Sequence, residues 1–217
     1  MLKNFAILNQ LNKTKLIAVI RGKNEENSYK TAKACIDGGV KNIELAFTSP
    51  HANETIKRLD QNFNKQKDVI IGAGTVLESV SARIAILAGA KFIVSPSFNV
   101  QVAKICNLYS IPYIPGCFSP TEVQTALTAG SNLIKIFPGS ISGSKIISEL
   151  KGPFPQVNIM PSGGVSKENL KDWLDKGAFA VGIGGSLVGP ADKNDYDQVT
   201  KNAQMLNSEL KKYKQGI

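Results

Sequence analysis

"GSNLIKIFPG", residues 130–139, sets one lysine inside a run that is otherwise Leu133, Ile134, Ile136 and Phe137. A short isoleucine-rich run, apolar on both faces, reads as a strand buried on both sides. A lysine is costly to bury unless its charge is paired. Reading this stretch as a strand therefore decides the fold and poses a chemical question together.

Seven further runs have the same character: "LIAVI" (16–20), "KNIELAF" (41–47), "DVIIGAG" (68–74), "KFIVSP" (91–96), "IPYIPG" (111–116), "VNIMPSGG" (157–164) and "FAVGIGG" (179–185). The segments between them carry helical spacing. "SYKTAKACIDGG" ends in Gly38-Gly39, a helix C-cap signal. "SVSARIAILAGA" and "TEVQTALTAGS" end in Gly89 and Gly130. "SKENLKDWLDKGA" places Leu170, Trp173 and Leu174 on one face, with Ser166 as the expected N-cap. No Pro- or Ser-rich linker divides the chain. Eight strands alternating with helices predict an α/β fold, a closed (β/α)8 TIM barrel. We expect one domain over residues 1–217, with a short N-terminal helix and a basic C-terminal helix or tail. An open doubly wound sheet is the alternative, but no G-x-G-x-x-G opens a helix after the first strand.

Composition narrows the function. The chain is 42% hydrophobic and 20% charged, as a folded globular protein is. No apolar run approaches the roughly 20 residues that span a bilayer. "MLKNFAILNQLNKTK" is interrupted by Asn, Gln and Lys throughout, so a cytoplasmic protein is expected, with no membrane partner. Cys35, Cys106 and Cys117 are widely spaced, and His51, in the turn-like "TSPHANET", is the one histidine. They form neither a metal-ligand pattern nor a disulfide framework, so no metal or other cofactor is expected. The net charge of +9 is scattered, and its densest cluster is the tail "LKKYKQGI", read as solvated. No nucleic-acid partner is expected; a positive field suits a small anionic substrate.

In a barrel, the active site lies at the C-terminal ends of the strands, and alternation decides which side chains point inward. Leu133, Lys135 and Phe137 share one face; Asn42, Glu44 and Ala46 share one face of theirs. The opposite faces are wholly apolar and suit packing against helices, so Lys135 and Glu44 are both assigned to the interior. One explanation is a structural ion pair between them. The other is a nucleophilic amine. Burial in apolar surroundings lowers a lysine's pKa and leaves more neutral amine at pH 7. Such an amine condenses with a ketone to a Schiff base, and a nearby carboxylate can move the protons. Lysine and glutamate suffice for an aldolase without a metal.

"SGGVS" (162–166) and "GIGGS" (182–186) follow the seventh and eighth strands. Barrels often hold a phosphate there on backbone N–H groups. Other strand ends carry Arg21, a candidate for holding a carboxylate, and Thr75, a candidate ligand or helix cap. Ser95-Pro96, Pro115-Gly116 and Ser162 complete the rim, with Cys117 beside them.

"VIRG", "GGVKNIELAFTSP", "IIGAGTV", "AGAKFIVSP", "IPYIPGCFSPTE", "LIKIFPG", "LKGPFPQVNIMPSGGVSKENL" and "AVGIGGSLV" occur in this order. Over residues 15–200 the chain resembles the 2-keto-3-deoxy-6-phosphogluconate / 4-hydroxy-2-oxoglutarate aldolase family. The resemblance implies a class I aldolase on a (β/α)8 barrel, usually a homotrimer, acting on a small keto acid. The first substrate would yield pyruvate and glyceraldehyde 3-phosphate, the second pyruvate and glyoxylate. It implies Lys135 as the Schiff-base lysine, Glu44 as general acid/base and Thr75 as a contact to the pyruvyl carboxylate. It implies phosphate binding at Gly163-Gly164 and Gly185-Ser186; Pro96, on the rim, is a further candidate for substrate contact. Some members carry an arginine four residues after the glutamate, where this chain has Thr48; others, like this chain, carry one after the first strand, at Arg21. Ser162 stands where threonine is frequent and influences aldehyde stereochemistry, and Ala46 also replaces a frequent threonine. On the residues alone, a barrel isomerase of phosphosugars and a non-catalytic phosphate-ligand binder stay open beside the aldolase.

Overall fold

All eight runs form extended backbone in the computed structural model, which describes residues 3–216. The strands are β1 (Leu16–Ile20), β2 (Asn42–Ala46), β3 (Ile70–Gly74), β4 (Ile93–Val94), β5 (Tyr113–Ile114), β6 (Gly116–Cys117), β7 (Ile134–Ile136), β8 (Ile159–Pro161) and β9 (Val181–Ile183). Eight runs yield nine strands because Pro115, with no N–H to donate, divides the fifth. Every pairing is parallel. One ladder runs β5-β4-β3-β2-β1-β9 and the other β6-β7-β8. The chain itself joins them at Pro115, whose carbonyl accepts from the Lys135 N–H at 2.8 Å. On the other side a parallel bridge, Ser162 to Gly182, joins the end of β8 to β9, and Phe179 N–H donates to Ile159 O at 2.8 Å. These two seams close the ring into the expected barrel.

The helices are α1 (Lys3–Thr14), α2 (Glu25–Asp37), α3 (Ala52–Phe63), α4 (Ser79–Ala88), α5 (Val100–Leu108), α6 (Pro120–Thr128), α7 (Gly139–Ser142), α8 (Ile146–Lys151), α9 (Leu170–Asp175), α10 (Gly185–Val188) and α11 (Tyr196–Gln215). Their ends follow local chemistry. Asn24 caps α2 by accepting from Asn27 N–H, and Gly38 closes it. Gly38 also lies against α11: a Cβ there would be 2.5 Å from Ala203 Cβ and 2.6 Å from Thr200 O. Ser119 and Glu122 form a reciprocal capping box on α6, with Pro120 in its first turn. Ser166 does not cap α9. The Asn169 side chain instead accepts from Ser166 N–H at 2.9 Å and donates to Gly164 O at 2.8 Å, which holds a turn and delays the helix to Leu170.

Alternation along the strands separates two apolar layers. Ile17, Ile70, Phe92, Val94, Ile114, Leu133 and Met160 fill the barrel. Their neighbours Ala18, Ile43, Leu45, Ile71, Ile93, Ile134, Ile136, Ile159 and Val181 pack outward against the helices. Ile7 and Leu11 of α1 belong to the inner layer, so α1 seals the N-terminal end of the barrel. Asn42 ties that seal by donating to Thr14 Oγ1 at 2.6 Å and Leu16 O at 2.8 Å. Over residues 210–215 the C-terminal tail read as solvated is the end of α11, and Ile217 lies outside the described residues. Leu210 is buried and Tyr213 packs on the core, because helical spacing turns them inward and leaves Lys211, Lys212 and Lys214 outside. Among the described residues no helix is long and apolar enough to cross a membrane.

Candidate active site

Lys135 lies at the centre of β7, paired in register with Gly116 and Met160. Glu44 lies at the centre of β2, paired with Val19 and Gly72. Both point into the barrel, as alternation predicted. Lys135 Nζ is 3.7 Å from Glu44 Oε1, and the two side chains are 7% and 1% exposed. Nζ also lies 5.0 Å from the centre of the Phe137 ring. The separation is too long for a direct hydrogen bond. Neither Glu44 oxygen has a hydrogen-bond partner among the described residues. A pair kept for structure alone needs close contact and further hydrogen bonds to offset desolvation. This pair is open, with both reactive atoms facing the same interior space.

Arg21 extends from the end of β1 to the rim. Its Nη1 donates to Thr48 Oγ1 at 2.8 Å, and its Nη2 to Thr75 Oγ1 at 3.2 Å. Thr75 is not a helix cap; Glu78 serves α4, accepting from Val80 and Ser81 N–H. Thr75 also holds φ at +54°, a left-handed conformation disfavoured for threonine. Three strand ends thus converge on one guanidinium, and among the described residues no carboxylate lies within 4 Å of it. Its remaining N–H groups suit a carboxylate of the substrate.

The loops after β8 and β9 lie side by side, since Ser186 Oγ donates to Val165 O at 2.8 Å. Gly163 and Gly164 hold φ at +88° and +77°, where glycine is favoured. Gly139 N–H, at the start of α7, donates to Ser162 O at 2.8 Å. Gly185 and Ser186 are exposed at this end. Ser162 is buried, with its hydroxyl against Gly182: a Cβ on that glycine would come within 2.9 Å of Oγ. Pro96 is half-buried against β6, the strand paired with the lysine strand; a Cβ on Gly116 would be 2.0 Å from its carbonyl oxygen.

Some rim expectations are corrected. Cys117 is buried in the outer layer, because the inward position of β6 is Gly116. Burial pushes its thiol up to about 12, and that of Cys106 likewise to about 12. Ser95 is buried and donates to Val76 O at 2.5 Å, which secures the end of β4 rather than facing a ligand. His51 is exposed before α3, as its turn-like context predicted. Two residues beside the pair were missed. Val19 is half-buried in register with Glu44, and Gly74 lies against the Glu44 carboxylate. The signal for both was the alternation Ile17, Val19, Arg21 and Ile70, Gly72, Gly74.

A family model described as KDPG and KHG aldolase matches residues 7–202. The chain belongs to the KDPG and KHG aldolase family. Among its family relatives, the 2-dehydro-3-deoxy-phosphogluconate aldolase of Treponema pallidum is 35% identical, over 91% of this chain and 94% of that protein. The 2-dehydro-3-deoxy-6-phosphogalactonate aldolase of Escherichia coli is 31% identical, over 94% and 97%. A solved KDPG aldolase from Legionella pneumophila, with pyruvate captured at low pH as a covalent carbinolamine intermediate, superposes with a TM-score of 0.83. It is 28% identical, with 92% of this aldolase-family chain and 97% of that one covered.

Proposed function

We propose that this chain is a class I aldolase that captures a 2-keto acid on Lys135. It cleaves 2-dehydro-3-deoxy-6-phosphogluconate to pyruvate and glyceraldehyde 3-phosphate, 4-hydroxy-2-oxoglutarate to pyruvate and glyoxylate, or both. The carrying observation is the open pair: Lys135 Nζ 3.7 Å from Glu44 Oε1, both buried in the barrel. The carbinolamine in the Legionella relative supports the same chemistry here.

The steps use these two groups. Lys135 passes a proton to Glu44 and its free amine adds to the C2 carbonyl. The carbinolamine takes that proton back on its hydroxyl and loses water, leaving a protonated imine. Glu44 then removes the C4 hydroxyl proton. The C3–C4 electron pair moves into the imine, the aldehyde leaves, and an enamine remains. Glu44 returns the proton to C3, and water releases pyruvate and the amine. Arg21, with Thr48 and Thr75, holds the pyruvyl carboxylate. Gly163, Gly164, Gly185 and Ser186 supply N–H groups to a phosphate. Pro96 and Ser162 bound the space for the aldehyde.

A homotrimer is the assembly we propose, and an exposed apolar stripe supports self-association. Val80, Ile84 and Leu87 lie on one face of α4, with Leu108 exposed on α5. Val80→Asp with Leu87→Asp should lower the sedimentation mass. Three free, buried cysteines agree with a reducing, cytoplasmic setting.

The test is borohydride reduction in the presence of pyruvate, with the adduct mapped by mass spectrometry, beside a coupled pyruvate-release assay on both substrates. We expect the adduct on Lys135. Release of pyruvate without an adduct there would overturn the mechanism.

A further inference from the structure

We infer that Gly74 is a positioning residue for Glu44. Its missing side chain is what lets the Glu44 carboxylate lie against β3, within reach of Lys135. The inference rests on the aldolase reading above.

Gly74 ends β3 on its inward face, paired with Ala46. Its φ lies outside the left-handed range, so the backbone there does not demand glycine. The space does. A Cβ at residue 74 would be 2.1 Å from Glu44 Oε1, 2.6 Å from Cγ and 2.7 Å from Cδ. The three nearest atoms thus belong to one side chain, that of the proposed acid/base. Two positions earlier, Gly72 makes room in the same way for the Phe92 ring, at 2.5 Å. The inward face of β3 is therefore hollowed twice, once for the apolar filling and once for the carboxylate.

Glu44 depends on that hollow. Among the described residues neither oxygen accepts a hydrogen bond, so shape and the Lys135 charge orient the carboxylate. At 1% exposed, it is held inside the barrel. A methyl group at 74 would push Oε1 away by more than about 1 Å before ordinary contact is restored, and a displacement of that size costs about 100-fold in a catalysed step. Imine formation at Lys135 and proton transfer at C3 should then separate. Trapping reads the imine that accumulates on the amine, which Gly74 does not touch, so slower proton relay by a displaced Glu44 delays it without abolishing it; exchange reads each transfer at C3 and needs the carboxylate in place.

The experiment compares wild type, Gly74→Ala, Glu44→Ala and the double variant. Exchange of the pyruvate methyl protons with deuterium oxide, followed by NMR, reads proton transfer. Borohydride trapping of pyruvate on Lys135 reads imine formation, and thermal melting reads the fold. We expect Gly74→Ala to trap pyruvate and to lose about 100-fold in exchange. We also expect Gly74→Ala to melt below wild type, while the double variant melts with Glu44→Ala, because the methyl then has no carboxylate to strike. Exchange by Gly74→Ala within about threefold of wild type would overturn the inference. So would equal loss of trapping and exchange in a folded Gly74→Ala protein, or a methyl group as destabilising in the Glu44→Ala background as in wild type. A wild-type protein that neither traps pyruvate nor exchanges its protons would overturn the aldolase reading itself, a result distinct from these.

Discussion

Replacing Lys135 with methionine tests how far the catalytic pair is also an energetic one. Methionine keeps most of the length of the side chain between Gly116 and Met160 but removes the ammonium. The Glu44 carboxylate then stays 1% exposed, without a hydrogen bond from the described residues and without the charge that stood 3.7 Å away. At an effective dielectric constant near 20, two unit charges at that distance attract by roughly 4 kcal/mol. Breaking a buried pair by deleting one partner costs about 3–5 kcal/mol. In a chain of 217 residues, each kcal/mol moves the melting temperature by about 2–4 °C. Lys135→Met should therefore melt roughly 6–20 °C below wild type at pH 7. The double variant Lys135→Met, Glu44→Gln removes both charges and should recover most of the loss, since replacing such a pair as a whole is close to neutral. Calorimetry on the three proteins is the assay, and both variants should release no pyruvate. A single variant melting within about 2 °C of wild type, or a double variant no better than the single, would refute a buried pair of opposite charges.

Arg21→Met removes donors to Thr48 and Thr75 at an exposed rim; it should raise KM for the keto acid about 10–100-fold, from about 1.5–3 kcal/mol of charged hydrogen bonding, and leave the melting temperature nearly unchanged. Because burial holds the Cys106 and Cys117 thiols up to about 12, native protein at pH 8 should resist iodoacetamide over hours; mass spectrometry should find all three cysteines labelled only after unfolding. In the α6 capping box, N–H groups of Phe118 and Ser119 lower the Glu122 pKa. That stability is present above the unfolded carboxyl pKa of about 4.3 and is lost as pH falls through the lower folded value. The deficit of Glu122→Gln in urea unfolding should therefore shrink from pH 7 towards pH 3.

Much of the barrel and its central pair was legible from residue order, because both rest on short-range periodicity. Alternation with a period of two placed Lys135 and Glu44 inside and their apolar neighbours outside, without any knowledge of strand order. The same rule, applied to Gly116-Cys117 and to Ile70, Gly72 and Gly74, would have moved Cys117 off the rim and drawn attention to Gly74. Helix ends were readable where a cap lies next to its helix, as at Gly38 and Ser119. They were not where Asn169 reaches back to Ser166 and Gly164 to hold a turn.

Only the folded chain set the 3.7 Å between Nζ and Oε1, the meeting of Arg21 with Thr48 and Thr75, and the sealing of the barrel floor by α1. The first two of these join residues 27 to 91 positions apart, and all depend on the stagger of one strand against the next around a closed ring. That stagger is a property of the whole ring's packing, so no single segment encodes it. Local pattern determined what each side chain faces; closure of the ring determined what it meets.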